Sequence, residues 1–409
     1  MPQLLSINNY YYRRGGSEAV FLEHNRLFAD AGWEVVPFAM RDPKNLPSAW
    51  SDYFADPVDL GGGQPLAKRL GAAGKMIYSA EAARRIEALI ERVRPTIAHA
   101  HNIYHHLSPS ILRSLRRANV PVVMTLHDFK LGCPAYKMFT HGTVCERCSG
   151  GALRHVLLQR CIRDSALMSA LIWLESTVHR QLRLYADNVT RFVSPSHFLL
   201  EKLKSWGLDT SRYVYIPNFV TVPEAIPSGT TRAFVYLGRL VPEKGIGTLI
   251  RAATLARVRL LVVGTGADEA ALRSLAAESG GKIEFAGHLS GDRLREATAS
   301  ARAVVIPSEW YENAPLSVME AYAYGRPVIG ARIGGIPELV RAGETGWLFE
   351  SGNVTELADL LARVDGLSDV DLDSMGRAGR EWMRRDFTPE AYRDRLLSLY
   401  RNIGVALPS

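Results

Sequence analysis

Short apolar runs of four to six residues alternate along most of the chain with longer segments whose apolar positions recur every three or four residues. The first kind predicts buried strands and the second amphipathic helices. Residues 4–8 predict a first strand, and a loop ending in Gly15-Gly16 follows. Ser17 suits a helix cap, after which Val20, Phe21, His24, Leu27 and Phe28 share one face until Gly32. Further strands are predicted at 34–39, 96–100, 121–126 and 190–194, with a long helix over 165–185. Residues 219–232 hold prolines, a glycine and a threonine-rich end without helical period, so they predict a linker. Beyond it the alternation restarts, with strands at 233–237, 260–263, 282–285, 303–306 and 327–329. A last helix, over 388–403, sets Tyr392, Leu396, Leu397 and Tyr400 on one face. Repeated strand–helix alternation predicts two doubly wound α/β domains of similar size, with ligands at the carboxyl ends of their strands.

Composition narrows the picture. The chain has 409 residues, 47% hydrophobic and 22% charged, which is ordinary for globular domains and argues against disorder. The best candidate for a membrane span, residues 165–174, is far shorter than the roughly 18 residues needed, and the first eight residues do not read as a leader. Charge is uneven. Residues 1–222 hold 27 Lys+Arg against 18 Asp+Glu, while residues 223–409 hold 22 against 24. The first half is therefore expected to meet something anionic.

Four motifs sit at predicted strand ends. Glu312-Asn-Ala-Pro-Leu-Ser-Val-Met-Glu320 follows the strand 303–306 and opens a helix. Two carboxylates eight positions apart on that helix lie about 80° apart and roughly 12 Å along its axis, able to touch two ends of one ligand. Free N–H groups at its start, including those of Ala314 and Leu316, suit a phosphate. Arg239 and Lys244 follow the strand 233–237, where a guanidinium and an ammonium fit a diphosphate. Gly15-Gly16 permits close backbone approach on the first strand-to-helix turn, and Gly264-Thr-Gly266 carries half of a dinucleotide fingerprint. His127-Asp128 closes the strand 121–126. His99, His101, His105 and His106 line the end of the strand 96–100 and its loop, and their spacing reads as a polar cleft wall rather than a metal site.

Taken together, these residues resemble the retaining glycosyltransferases of family 4. The resemblance runs through Gly15-Gly16, His127-Asp128, Ile216-Pro217-Asn218, Gly238-Arg239, Glu243-Lys244-Gly245 and the E-x7-E pair Glu312 and Glu320, over essentially the whole chain. It implies the GT-B fold of two facing Rossmann-like domains, with the chain end crossing back to the first. The expected division is an acceptor-binding domain over 1–222, with a cysteine-rich insertion at 132–162, a nucleotide-sugar-binding domain over 223–388, and a returning helix over 389–409. The resemblance implies that Arg239 and Lys244 bind the donor diphosphate, Glu312 contacts the sugar and Glu320 the ribose. Gly15, Gly16, Gly264, Gly266, Asn313, Ala314 and Leu316 complete the expected donor site. His127 is expected beside the reacting centre, with His101, His105, His106 and Asp128 toward the acceptor. One departure stands out, because Ala314-Pro315 occupies a place where many members have glycine; proline removes one N–H, leaving Leu316 and Ser317 to meet the phosphate.

The implied reaction moves a sugar from a nucleotide-sugar donor to a glycan or lipid-linked acceptor, as in bacterial surface polysaccharide synthesis. Arg239, Lys244 and the helix start would stabilise charge on the leaving diphosphate, so catalysis is expected to need no metal cofactor. An epimerase or phosphorylase of the same fold is the alternative. Nucleic-acid binding, prompted by a pI near 9.2, lacks a reading motif and is set aside. Cys133, Cys145, Cys148 and Cys161 have the ligand count of a structural zinc site, against reduced thiols as the plainer reading. The stretch 154–183 mixes arginines with leucines and suits either peripheral contact with an anionic membrane or a core helix with charged flanks. The expected location is cytoplasmic, at the inner face of the membrane if that contact forms.

Overall fold

The computed structural model describes residues 1–59, 65–226 and 232–406, and the expected linker falls partly outside them at 227–231. Two six-stranded, all-parallel sheets carry the chain. The first holds β1 (Gln3–Ile7), β2 (Glu34–Phe38), β3 (Ile97–Ala100) and β4 (Val122–Thr125). A small hairpin, β5 (Phe139–Thr140) and β6 (Thr143–Val144), interrupts before β7 (Arg191–Ser194) and β8 (Tyr213–Tyr215) complete that sheet. Its spatial order is β2-β1-β3-β4-β7-β8. The second sheet holds β9 (Phe234–Leu237), β10 (Arg259–Val263), β11 (Lys282–Gly287), β12 (Ala303–Ile306), β13 (Val328–Ala331) and β14 (Gly346–Phe349). Its order, β11-β10-β9-β12-β13-β14, repeats the plan of the first.

Both orders reverse beside their first strand, between β1 and β3 and between β9 and β12. A crevice opens there at the carboxyl ends. The strand-end motifs follow β1, β3, β4, β9 and β12, so the topology alone delivers them to two facing crevices. β3, β4, β12 and β13 are buried along their whole length, as parallel strands covered on both faces should be. The edge strands β8 and β14 were absent from the sequence reading; each is only three or four residues, partly exposed, and carries little periodicity. Ser17 is not the cap of the first helix, which spans Gly16–Asp30 with Gly15 at the cap position and no side-chain bond.

The helix Pro389–Asn402 returns to the first sheet as expected. Tyr392, Leu396, Leu399 and Tyr400 pack with Leu4, Val20, Phe28, Trp33, Ile97 and Val123 in one buried cluster. The cysteine-rich segment, short of regular structure, instead leans on the core of the first domain through Cys133, Met138, Cys148 and Val156.

Candidate active-site cleft

The geometry on the second domain's side of the cleft starts from a glycine. Gly245 has φ +67°, and a Cβ there would meet the carbonyl oxygen of Pro307 at 1.9 Å. Only glycine lets the turn after β9 lie flat against the chain leaving β12. The Glu309 N–H donates to the Glu243 carbonyl at 3.0 Å and ties the same two loops. Lys244 is thereby brought to Glu312, its Nζ 2.6 Å from Oε1. Ser308 Oγ at 2.6 Å and Trp310 Nε1 at 2.9 Å donate to the same oxygen. Burial alone would raise the Glu312 pKa, but the Lys244 charge and these three donors hold it below the usual carboxylate range.

Glu312 is not on the helix. It lies in the loop before Leu316–Ala323, so the helical spacing drawn from the sequence does not describe the pair. Pro315 takes the cap position, and the N–H groups of Leu316 and Ser317 have no partner among the described residues. Across the cleft, Gly16 faces the Leu316 side chain, 3.6 Å from where its Cβ would stand. Glu320 is on the helix and half-buried; burial raises its pKa against the pull of the Arg13 charge from the other domain. Arg239 is exposed, and its guanidinium donates no hydrogen bond among the described residues. Gly264 and Gly266 brace the Arg239 loop, since a Cβ on either would collide with the carbonyl of Gly238 or Leu240.

Asn313, expected at the donor, is committed elsewhere. Its Oδ1 accepts from Ser196 Oγ at 2.6 Å and its Nδ2 donates to the Leu126 carbonyl at 3.0 Å, which joins the two domains at the cleft floor. Asn218 Nδ2 reaches the Ala314 carbonyl at 3.3 Å. Glu338 accepts from the His197 N–H at 2.8 Å and from the Phe198 N–H, capping a helix of the opposite domain. Two ties come from the cysteine-rich segment: Lys137 Nζ to Glu243 Oε1 at 2.7 Å, and the Tyr311 hydroxyl to Glu146. Sequence reasoning missed Ser196, Ser308, Trp310, Tyr311, Lys137, Glu146 and Glu338. Ser196, Tyr311, Lys137, Glu146 and Glu338 gain their roles from partners on distant elements, whereas Ser308 and Trp310 bond Glu312 within its own loop and carry no motif that marks them.

His127 sits at the end of β4, half-buried, its Nε2 2.8 Å from Nδ1 of His101. Burial lowers its pKa to about 4. His101 does not line the wall as expected; it is fully buried beneath His127. His105 turns away into an ion cluster, its Nδ1 3.1 Å from Glu175 Oε1, while Lys130 Nζ is 2.8 Å from Oε2. His106 accepts from the Val58 N–H at 3.2 Å and lies 3.4 Å from the Tyr10 hydroxyl. Asp128 accepts from the Lys130 N–H at 2.9 Å, and burial pushes its pKa up to about 6. Of the expected acceptor group, His105, His106 and Asp128 are half-buried, and only His101 is fully interior.

The four cysteines are free thiols. Burial pushes Cys133 up to about 11 and Cys148 to about 12, with neighbouring cysteines adding to the effect. Among the described residues no group of three or more His, Cys, Asp or Glu is set to hold a metal ion. No described helix is long and apolar enough to cross a membrane.

Comparison with known proteins bears on both halves. A family model described as Glycosyltransferase Family 4 matches residues 14–222, and one described as Glycosyl transferases group 1 matches residues 223–382. A GDP-mannose-dependent monoacylated alpha-(1-6)-phosphatidylinositol monomannoside mannosyltransferase of Corynebacterium glutamicum is 28% identical over 250 residues, 54% of this chain and 65% of the relative. A GDP-mannose-dependent alpha-(1-6)-phosphatidylinositol monomannoside mannosyltransferase of Mycobacterium tuberculosis is 33% identical over 192 residues, 43% of this chain and 49% of the relative. The chain thus spans between about half and two thirds of those curated relatives. Sucrose-phosphate synthase from Thermosynechococcus elongatus superposes with a TM-score of 0.74 at 21% identity, covering 98% of this chain and 99% of that one. Anabaena HepE in complex with UDP and glucose gives 0.68 at 16% identity, covering 98% and 100%. These likenesses establish the GT-B architecture.

Proposed function

The chain belongs to glycosyltransferase family 4, and from that premise we propose that it transfers a hexosyl group from a nucleoside-diphosphate sugar to a glycan or lipid-linked acceptor, with retention and without a metal. The observation that carries this reading is the Lys244–Glu312 pair at 2.6 Å with its carboxylate buried, together with an exposed Arg239 guanidinium and two helix-start N–H groups that make no hydrogen bond among the described residues. An ammonium held by a carboxylate, with an exposed guanidinium on the same loop, suits a diphosphate. When donor binds, Lys244 and Arg239 engage the phosphates, while Glu312, with its second oxygen free, and Glu320 take sugar and ribose hydroxyls. As the bond from the anomeric carbon to the diphosphate breaks, the leaving oxygen gains charge next to those cations. The acceptor hydroxyl bonds to the same face of that carbon, and its proton passes to the departing phosphate. Family resemblance supports this front-face course.

Supply of charge by Arg239, Lys244 and the free N–H groups supports metal independence; turnover unchanged by EDTA is the expected result. The relatives' names make GDP-mannose the first donor to try, with UDP sugars next. The first domain would meet the acceptor. Leu167 and Leu174, 67% and 44% exposed and seven residues apart on the helix Ala166–Gln181, share a face near exposed Arg160 and Arg163. That mixture supports peripheral contact with an anionic bilayer, which for a polysaccharide-synthesis enzyme would be at the cytoplasmic face. Flotation with anionic vesicles at low salt checks it, and absence of binding removes it.

The deciding experiment is thermal stabilisation by GDP, UDP, ADP and dTDP with EDTA present. A nucleotide at about 100 times its dissociation constant adds about 2.7 kcal/mol. A shift with one nucleotide, lost in Arg239→Ala/Lys244→Ala, is expected; no shift with any of them overturns the donor assignment.

A further inference from the structure

Three imidazoles lie under His127 with no part in donor binding. His101 follows β3, His99 lies on it, and His24 comes from the helix Gly16–Asp30. Ring centroids are 5.1 Å apart between His127 and His101, 4.9 Å between His101 and His99, and 4.6 Å between His99 and His24. His24, His99 and His101 are fully buried, and burial, with the neighbouring imidazoles, drives all three well below the ordinary histidine pKa. Each is therefore neutral, with one N–H and one bare nitrogen.

Which nitrogen carries the proton follows from partners. His101 Nδ1 faces His127 Nε2 at 2.8 Å, whereas His101 Nε2 is buried with no partner. A buried N–H without an acceptor is costlier than a bare nitrogen without a donor. The His101 proton thus belongs on Nδ1, donating to His127 Nε2. His127 must then carry its own proton on Nδ1, which has no partner among the described residues and is not among the buried atoms.

We infer that His101 is a positioning residue that locks His127 in the Nδ1–H tautomer, so that His127 offers the cleft a hydrogen-bond donor for a sugar oxygen and not a proton acceptor. The rest of the cluster obeys the same rule. His24 Nε2 is buried without a partner, so its Nδ1–H donates to the Tyr392 hydroxyl at 3.2 Å. Tyr392 is hydrogen-bonded to Thr125, and Thr125 Oγ1 lies 2.8 Å from His99 Nε2. His99 Nδ1–H then donates to Tyr400 at 2.6 Å. One direction satisfies every link, and two of its phenols come from the returning helix.

The catalytic meaning rests on the glycosyltransferase reading; the tautomer does not. Long-range proton–nitrogen spectra of the full chain, labelled with nitrogen-15 in histidine at pH 7.5, read it directly, with His127 assigned from the signal missing in His127→Gln. A protonated Nδ1 and bare Nε2 are expected; the opposite tautomer or an imidazolium overturns the inference. In His101→Phe the His127 preference should collapse to a mixture. With one hydrogen bond lost, kcat should fall about tenfold while nucleotide affinity stays within about twofold. His101→Asn, which keeps a donor, should restore both. An unchanged His127 tautomer in His101→Phe also overturns the inference. If that variant does not fold, the wild-type spectrum decides alone. Failure of every nucleotide to bind would instead count against the transferase reading, and the tautomer result would stand apart from it.

Discussion

The two walls of the cleft bury polar groups by opposite means. The wall built on β3 and β4 holds a column of neutral imidazoles and hydroxyls joined by directed hydrogen bonds. The wall built on β9 and β12 holds full charges, with Lys244 closed onto Glu312 and three donors converging on one carboxylate oxygen. Neutral groups suit the side expected to face sugar hydroxyls, where a buried charge would be costly. Paired charges suit the side expected to face a diphosphate, because Lys244 can change partners without ever being left alone in a dry site.

The contrast can be broken from either wall. The largest effect should come from Arg239→Ala/Lys244→Ala, with kcat/KM lower by about 10³-fold or more, since each lost contact is worth roughly 2–4 kcal/mol in the transition state. Lys244→Ala alone also strands a buried carboxylate, and urea unfolding should show a loss of about 3 kcal/mol. Glu312→Gln, which keeps a hydrogen-bonding side chain there, should cost less.

Acid should separate the walls. His24 is lowered to about 3 and His127 to about 4, below the unfolded value near 6.5. Between those values the unfolded chain binds more protons, so stability is full above pH 6.5 and falls as pH drops. The expected loss is about 1.4 kcal/mol per pH unit for each fully buried imidazole. Asp128, raised to about 6, opposes this over the same window but is one group against several. Glu312, held below the usual range, keeps its pairing until pH falls past ordinary carboxylate values. Urea midpoints at pH 7 and pH 5 should therefore drop sharply, and a His24→Phe variant should drop less.

Tyr400→Phe removes the acceptor for His99 and should cost about 1 kcal/mol by the same measurement. Smallest is the cross-cleft tie. Lys137 is 34% exposed, so Lys137→Glu should cost only about 0.5–1 kcal/mol, recovered by pairing it with Glu243→Lys. A recovery in unfolding without recovery of donor affinity would mean that the tie holds the domains together but does not set the donor loops.

Much of the loop arrangement proposed as the donor site was legible, for a local reason. Arg239, Lys244, Gly245 and Glu312 lie within a few residues of strand ends, and strands announce themselves by apolar runs. The histidines misled because a strand-end histidine reads the same whether it points into the cleft or into the core. His105 shows this, since its partner Glu175 is 70 residues away. Asn313 was taken for a donor contact because it adjoins Glu312, yet both of its amide atoms turn to the other domain.

By itself, the sequence determined two α/β units, the loops at their strand ends and a last amphipathic helix, because periodicity and turn chemistry act over a few residues. Only the tertiary structure decided what those loops meet. His99 finds Tyr400 across 301 positions, Asn313 finds Leu126 across 187, and Lys137 finds Glu243 across 106. Such partners are chosen by how the two sheets and the last helix pack, and no spacing along the chain encodes that choice.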